Sequence, residues 1–273
     1  MSAPLSVCVL ACDEADDLER CLRSVDWADE IVVVVDDKSR DATESVARRL
    51  ASRVERLAYA GDVEQKRTCT GLAKHDWVFV LDPDEVVTPA LAESIRARLV
   101  EQGDDVAPGF DRAPTRPDAF RVNRSTYHLG RWIRHGDFYP DWKLRLYRRS
   151  RARWVGLDPH GRVEMEGGAR VESLEGDLLH YSYRDLSDQI ARIQFFSDQA
   201  ADAMLRDGID FRIRDLALRP PARFLRSYVL RRGYKDGMPG FVIAVASAFY
   251  VFLKYAKLWE RRDFRAGDGD PPA

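Results

Sequence analysis

Apolar runs and amphipathic stretches alternate through the first hundred residues of this chain. Leu5 to Leu10 reads as a strand, Asp16 to Val25 as a helix, and Ile31 to Val35 as a second, β-branched strand that ends in Asp36-Asp37. Thr43 to Ala51 then gives a helix, Val54 to Leu57 a short strand, Val63 to Ala73 a helix, and Trp77 to Leu81 a fully apolar strand. Such alternation predicts a parallel sheet joined by right-handed crossovers. Thr88-Pro89 opens a further helix, with a Thr cap and Pro at the first helical position.

Beyond that point the pattern changes twice. Glu101 to Asp118 is polar and rich in Pro, Gly and Asp, which predicts an insertion or lid that separates two functional halves. Short strand-like pieces follow at Phe120 to Asn123, Trp142 to Tyr147, Arg162 to Met165, Val171 to Leu174 and Leu178 to Tyr183. From about Leu186 the pattern is helical, with breaks expected at Gly208, Pro220-Pro221 and Met238-Pro239-Gly240.

Acid at the end of an apolar strand belongs to a site rather than a core. Asp82 and Asp84, two residues apart directly after Trp77 to Leu81, can jointly hold a hard divalent cation of the kind shared with substrate phosphates. Asp268-Gly269-Asp270 repeats the spacing in a Gly/Pro-rich tail and reads as a solvated end. Two other strands also end in acid, Asp13-Glu14 and Asp36-Asp37, where a carboxylate suits a ribose, a base edge or a metal. The first βα loop, Ala11-Cys12-Asp13-Glu14, lacks the glycines that let backbone approach a pyrophosphate, which argues against a dinucleotide-dependent hydride transfer.

Composition adds exclusions. A formal net charge of −2 argues against nucleic acid as the partner, which calls for a basic excess. Cys8, Cys12, Cys21 and Cys69 form no CxxC pair and read as reduced cytoplasmic thiols. The N-terminus has no basic n-region, so Leu5 to Leu10 reads as a strand and not as part of a signal peptide.

Several motifs carry a resemblance to a known family. Val7 to Glu14, Leu18 to Leu22, Trp27 to Val34, Asp36 to Thr43, Glu64 to Arg67 and Asp82-Pro83-Asp84-Glu85 resemble the family 2 glycosyltransferases of the GT-A fold, a Rossmann-like nucleotide-diphospho-sugar transferase architecture. Gly130 to Gly136, Tyr139-Pro140-Asp141 with Leu144 to Leu146, Leu179 to Tyr183 and Ala248 to Lys257 are similar to the branch that adds β-glucose to the lipopolysaccharide inner core. The resemblance spans Ser6 to about Glu260. It implies an α/β GT-A domain at 1–185, with a nucleotide-sugar half at 1–100 and an acceptor half at 119–185. A helical, membrane-associating extension at 186–262 and a disordered tail at 263–273 complete the expected organisation.

The resemblance also implies roles. Glu14 and Asp36 contact the nucleoside, Lys66 lies near the nucleotide, Asp82 near the ribose, and Asp84 binds Mg²⁺ or Mn²⁺ on the diphosphate. His160 matches a family histidine, but Gly161 stands where relatives usually place an acid. Inverting transfer needs a base for the acceptor hydroxyl, and Asp141, ahead of the basic positions Lys143 and Arg145, is the first choice, with Asp137 the alternative. The basic run Arg131 to Arg153, interleaved with Trp132, Tyr139, Trp142, Tyr147 and Trp154, suits a phosphorylated saccharide. His75, His128, His135 and His180 read as loop or packing residues.

The expected reaction is transfer of a hexose, glucose by the resemblance, from a nucleotide sugar, UDP-linked by the resemblance, to a lipid-linked saccharide. Two alternatives stand beside it: a sugar-phosphate nucleotidylyltransferase, which calls for a Gly-rich first loop, and a catalytically silent membrane-associated binding protein. Phe241 to Leu253 is apolar on every face but shorter than a spanning helix, and basic residues flank it. That predicts a peripheral protein on the anionic, cytoplasmic face of the cell membrane.

Overall fold

The computed structural model describes residues 2–102, 116–156 and 161–263. The expected lid falls mostly, and His160 and the tail from residue 264 wholly, outside the described residues. The chain divides into two compact units, one of residues 1–124 and 142–180, the other of 125–141 and 181–273. The segment 125–141 therefore groups with the helical region rather than with the sheet around it in sequence.

In the first unit the strands β1 (Leu5–Ala11), β2 (Glu30–Asp36), β3 (Arg53–Leu57) and β4 (Trp77–Leu81) alternate with the helices α1 (Ala15–Arg23), α2 (Thr43–Leu50) and α3 (Asp62–Leu72). The order β3-β2-β1-β4 is parallel throughout. β5 (Glu85–Val87) and α4 (Pro89–Gln102) follow, with Thr88 Oγ1 accepting from Leu91 N at 3.3 Å as the expected cap. The sheet continues through β6 (Ala119–His128), with β7 (Arg131–Trp132) paired to it, and through β8 (Asp141–Arg148), which runs antiparallel to β4. After β9 (Ala152–Val155) and β10 (Arg162–Met165), which form a separate hairpin, β11 (Val171–His180) closes the order β4-β8-β6-β11-β5.

The apolar strands serve two cores. Val7 and Val9 of β1, Val33 of β2 and Phe79 of β4 pack on Leu18, Leu22, Val46, Leu91 and Ile95 of α1, α2 and α4. Cys8, Val32, Val34, Val78 and Val80, the alternate positions, pack on Val63 and Cys69 of α3 together with Tyr147 and Trp154. Burial of both faces is why these strands read as unbroken apolar runs.

β11 is one strand where the sequence suggests two. Gly176, at φ +88°, marks a close approach and not an end, because a side chain there would run into the backbone of Leu91.

The second unit holds α5 (Leu186–Arg206), α6 (Ile213–Leu225) and α7 (Gly237–Asp263). Asp185 caps α5 by accepting from Asp188 N at 2.8 Å. The expected break at Pro220-Pro221 is absent, since both lie inside α6. The pair removes two amide donors and crowds the preceding turn, but proline's fixed φ is itself helical, and the chain stays helical across it. The turn comes later, through a π-helical stretch at Arg226–Leu230 and a 3-10 turn at Gly233–Asp236, and Met238-Pro239-Gly240 falls in the first turn of α7.

Candidate active site

Because β1, β2 and β4 are parallel, their carboxyl ends share one edge of the sheet, and each is followed there by acid. Glu14 stands at the start of α1, its Oε2 accepting from Cys12 N at 3.3 Å. Burial, with Asp84 and Asp82 nearby, pushes its carboxyl up to about 7, so this acid is part-protonated near neutrality. Asp36 ends β2 and accepts from Lys38 N at 2.8 Å. Burial, followed by the negative fields of Asp36, Asp13 and Glu14, raises the Cys12 thiol, which places these acids around one loop.

Asp13 and Asp41 are occupied in shaping that loop. Asp13, at φ +54°, accepts from Arg40 N at 2.7 Å and Asp41 N at 3.2 Å. Asp41 accepts from Thr43 N at 2.8 Å and Ala15 N at 3.1 Å. Asp and Asn are the non-glycine residues that best tolerate such a backbone.

After β4 the turn Asp82-Pro83-Asp84-Glu85 closes on itself: Glu85 N donates to Asp82 O, and Asp82 N to Glu85 Oε2, each at 3.0 Å. Glu85 is fully buried. Arg145 of β8 donates from Nη2 to Asp82 Oδ2 and Glu85 Oε1, both at 2.6 Å, and Arg124 of β6 lies 3.4 Å from the same Glu85 oxygen. Lys66 of α3 approaches Asp82 Oδ1 at 3.5 Å and Asp62 at 3.2 Å, with its ammonium 5.3 Å from the Trp154 ring. Burial alone would raise Asp82, but Arg145 and Lys66 outweigh it and hold the carboxyl well below the usual range.

Asp84 differs. Its Oδ2 lies 3.3 Å from His180 Nε2, at the end of β11 where His180 pairs in register with Glu85. Among the described residues no three His, Cys, Asp or Glu side chains form a ready metal cage. A magnesium-type site needs only one or two protein ligands when substrate phosphates complete the shell. The donor set fits that arrangement through the Asp84 carboxylate, which His180 contacts at 3.3 Å, while Asp82 is committed to Arg145 and Lys66.

Glu14, Asp82 and Asp84 thus share one electrostatic neighbourhood, with Lys66 on Asp82. Asp141 opens β8 and belongs to the second unit, where it is half-buried. Asp137, the alternative base, is buried and ion-paired with Arg223 at 3.0 Å and Arg231 at 3.1 Å, which gives it a structural occupation. Tyr147 and Trp154 are both buried, with little ring surface exposed for stacking on a sugar, and Trp154 Nε1 donates to Tyr147 Oη at 2.9 Å. A cavity of about 550 Å³ lined by Arg67, Tyr147, Arg149 and Trp154 includes Asp76, at the amino end of β4, and so lies away from the acidic edge.

Sequence reasoning passed over Glu85, Arg145 as an acid partner, and His180 as a site residue. The signal for Arg145 is its spacing on β8, two residues from Lys143 and flanked by Leu144, Leu146 and Tyr147. For His180 it is the register opposite Glu85, which no single segment displays.

Residues 6–176 match the family model described as Glycosyl transferase family 2. The chain belongs to that family. This glycosyltransferase is 28% identical over 275 residues to the lipopolysaccharide core biosynthesis glycosyltransferase LpsC of Rhizobium meliloti, covering 96% of this chain and 94% of that one. It is 26% identical to an uncharacterized glycosyltransferase of Rickettsia bellii, over 95% of this chain and 87% of the relative. Among solved structures, a mannosyltransferase from Pyrobaculum calidifontis in complex with GDP-Man and Mn²⁺ superposes with a TM-score of 0.55 at 14% identity, covering 96% and 89% of the two chains. That likeness bears on the fold, which for this glycosyltransferase is GT-A with a helical C-terminal region.

Proposed function

We propose that this glycosyltransferase moves a hexose, glucose by its inner-core resemblance, from a UDP-linked donor to a lipid-linked saccharide such as the lipopolysaccharide inner core, with inversion, at the cytoplasmic face of the cell membrane. The carrying observation is the set of acids at neighbouring strand ends with Lys66 and Arg145 among them. The similarity to LpsC over nearly the whole of both chains supports the acceptor class.

In this reading Glu14 and Asp36 bind the nucleoside, and Glu14, part-protonated, can donate a hydrogen bond to it. Asp82, fixed by Arg145, receives the ribose. Lys66 faces the diphosphate, and Asp84, with His180 against it, would hold Mg²⁺ or Mn²⁺, which would supply positive charge for the departing nucleoside diphosphate. Asp141 accepts the acceptor hydroxyl proton while that oxygen forms its bond to the sugar's anomeric carbon, and the bond to the diphosphate oxygen breaks with its electron pair leaving on the nucleotide.

Thermal-shift titration with UDP, GDP, ADP and CDP, each with and without Mn²⁺, tests the donor assignment. A ligand that binds only the folded state raises stability with the logarithm of its concentration over Kd. UDP with Mn²⁺ is expected to give the largest shift; a shift with none of the four would remove the nucleotide-sugar reading.

A further inference from the structure

The helical region presents apolar side chains to solvent in an ordered way. On α7, Met238, Phe241, Val245, Phe249 and Phe252 are all exposed and recur every three or four residues, so they form one stripe. Leu218, Leu225, Val229 and Leu230 continue the exposed apolar surface on α6 and the π-helical turn. Exposure is greatest at the turn, with Leu230 77% and Met238 71% exposed, which is the reverse of what a packed helical hairpin needs.

The surrounding charge is mostly positive. Between residues 212 and 262 stand twelve Lys and Arg against three acidic residues, and of those three Asp236 is buried. At the turn itself Arg226, Arg232 and Lys235 are exposed. An apolar tip ringed by cations complements an anionic lipid surface, which attracts exposed basic residues.

The opposite face of α7 argues against crossing. The helical segment Gly233–Asp263 is long enough to span and contains an 18-residue stretch with a mean hydropathy of 1.6. Its C-terminal half, however, is tied to α5 by charge: Lys257 Nζ donates to Ser197 Oγ at 2.8 Å and pairs with Asp198 at 2.9 Å, while Arg261 pairs with Asp198 and with Asp202. A span of about 20 residues that stops short of that network has to take either Lys254 or Lys235 with Asp236 into hydrocarbon.

We infer that the α6–α7 hairpin is a monotopic membrane element that enters one leaflet of an anionic bilayer by its tip, led by Leu225, Val229, Leu230, Tyr234 and Met238. This deepens the membrane-face reading above and rests on it. The tip is also joined to the segment that leads to Asp141. Asp236 accepts from His135 N at 2.7 Å and Arg134 N at 3.1 Å, and Arg223 and Arg231 hold Asp137. The surface that meets lipid thus grips residues 134–137, and seating of the tip sets the acceptor segment at the headgroup level.

The test is co-sedimentation of the full chain with vesicles of phosphatidylcholine alone or mixed with phosphatidylglycerol, across a salt series, with UDP release from UDP-glucose measured in parallel without vesicles. Wild type is expected to bind the anionic vesicles and to lose binding as salt rises. Leu230→Asp with Met238→Asp should reduce that binding at least tenfold, and Arg226→Gln, Arg232→Gln and Lys235→Gln about fivefold each, the equivalent of about 1 kcal/mol. All should keep the wild-type melting temperature and vesicle-free UDP release. Wild-type binding by the Leu230/Met238 double variant, absence of binding to either vesicle, salt-resistant dependence on detergent, or a dimer abolished by the same substitutions would each overturn the inference. Vesicle binding without UDP release would leave it standing and remove the proposed activity instead.

Discussion

Arg145 Nη2 lies 2.6 Å from Asp82 Oδ2, joining the middle of β8 to the end of β4. The same guanidinium meets the fully buried Glu85, so one cation sets the geometry of the acidic turn. Removing one partner of a buried ion pair leaves an uncompensated charge and costs about 3–5 kcal/mol. Arg145→Met is therefore expected to lower unfolding free energy by about that amount in urea titrations, with Glu85→Gln restoring part of it in the double variant. Near-wild-type stability of the single variant would contradict the pairing.

Asp84→Asn keeps the shape of the turn and removes the charge offered to the cation. Turnover should fall by orders of magnitude and Mn²⁺-dependent nucleotide affinity should weaken, read by steady-state kinetics and calorimetry. Unchanged turnover would remove the metal role from Asp84.

Asp141→Asn should abolish transfer while nucleoside diphosphate affinity stays close to wild type. A base acts in the transition state and adds little to donor binding. Parallel loss of affinity and turnover would mark Asp141 as structural.

Glu14 gives a pH dependence with a definite sign. Its folded carboxyl is raised from 4.5 to about 7, so the folded protein binds this proton more tightly than the unfolded chain. The contribution is full below about 4.5 and is lost as pH rises through about 7. Melting temperature of the ligand-free protein should decline over that window, and Glu14→Gln should flatten the decline. An identical profile in both proteins would contradict the burial-driven shift.

Much of the donor half is legible in the sequence because buried parallel strands are unbroken apolar runs. Trp77–Leu81 appears with its observed bounds, and the acid after it is conspicuous for that reason. What escapes are features that depend on other segments. β5, of three residues, carries too little pattern to show, and β9 is hidden at the end of the basic run Arg131 to Arg153. Gly176 resembles a strand end until the backbone of Leu91 is seen against it. Arg145 looks like one member of a basic run, and His180 like packing, because their partners lie 60 or more residues away.

The proposed metal-dependent sugar transfer at the acidic strand-end turn can be read as UDP release when purified protein is given UDP-glucose, Mn²⁺ and a lipid-linked inner-core saccharide. Release should require the acceptor for full rate, stop in EDTA, return with excess Mn²⁺ and fall to background in Asp84→Asn. Release that persists in EDTA at the full rate, or in Asp84→Asn at the wild-type rate, would contradict it.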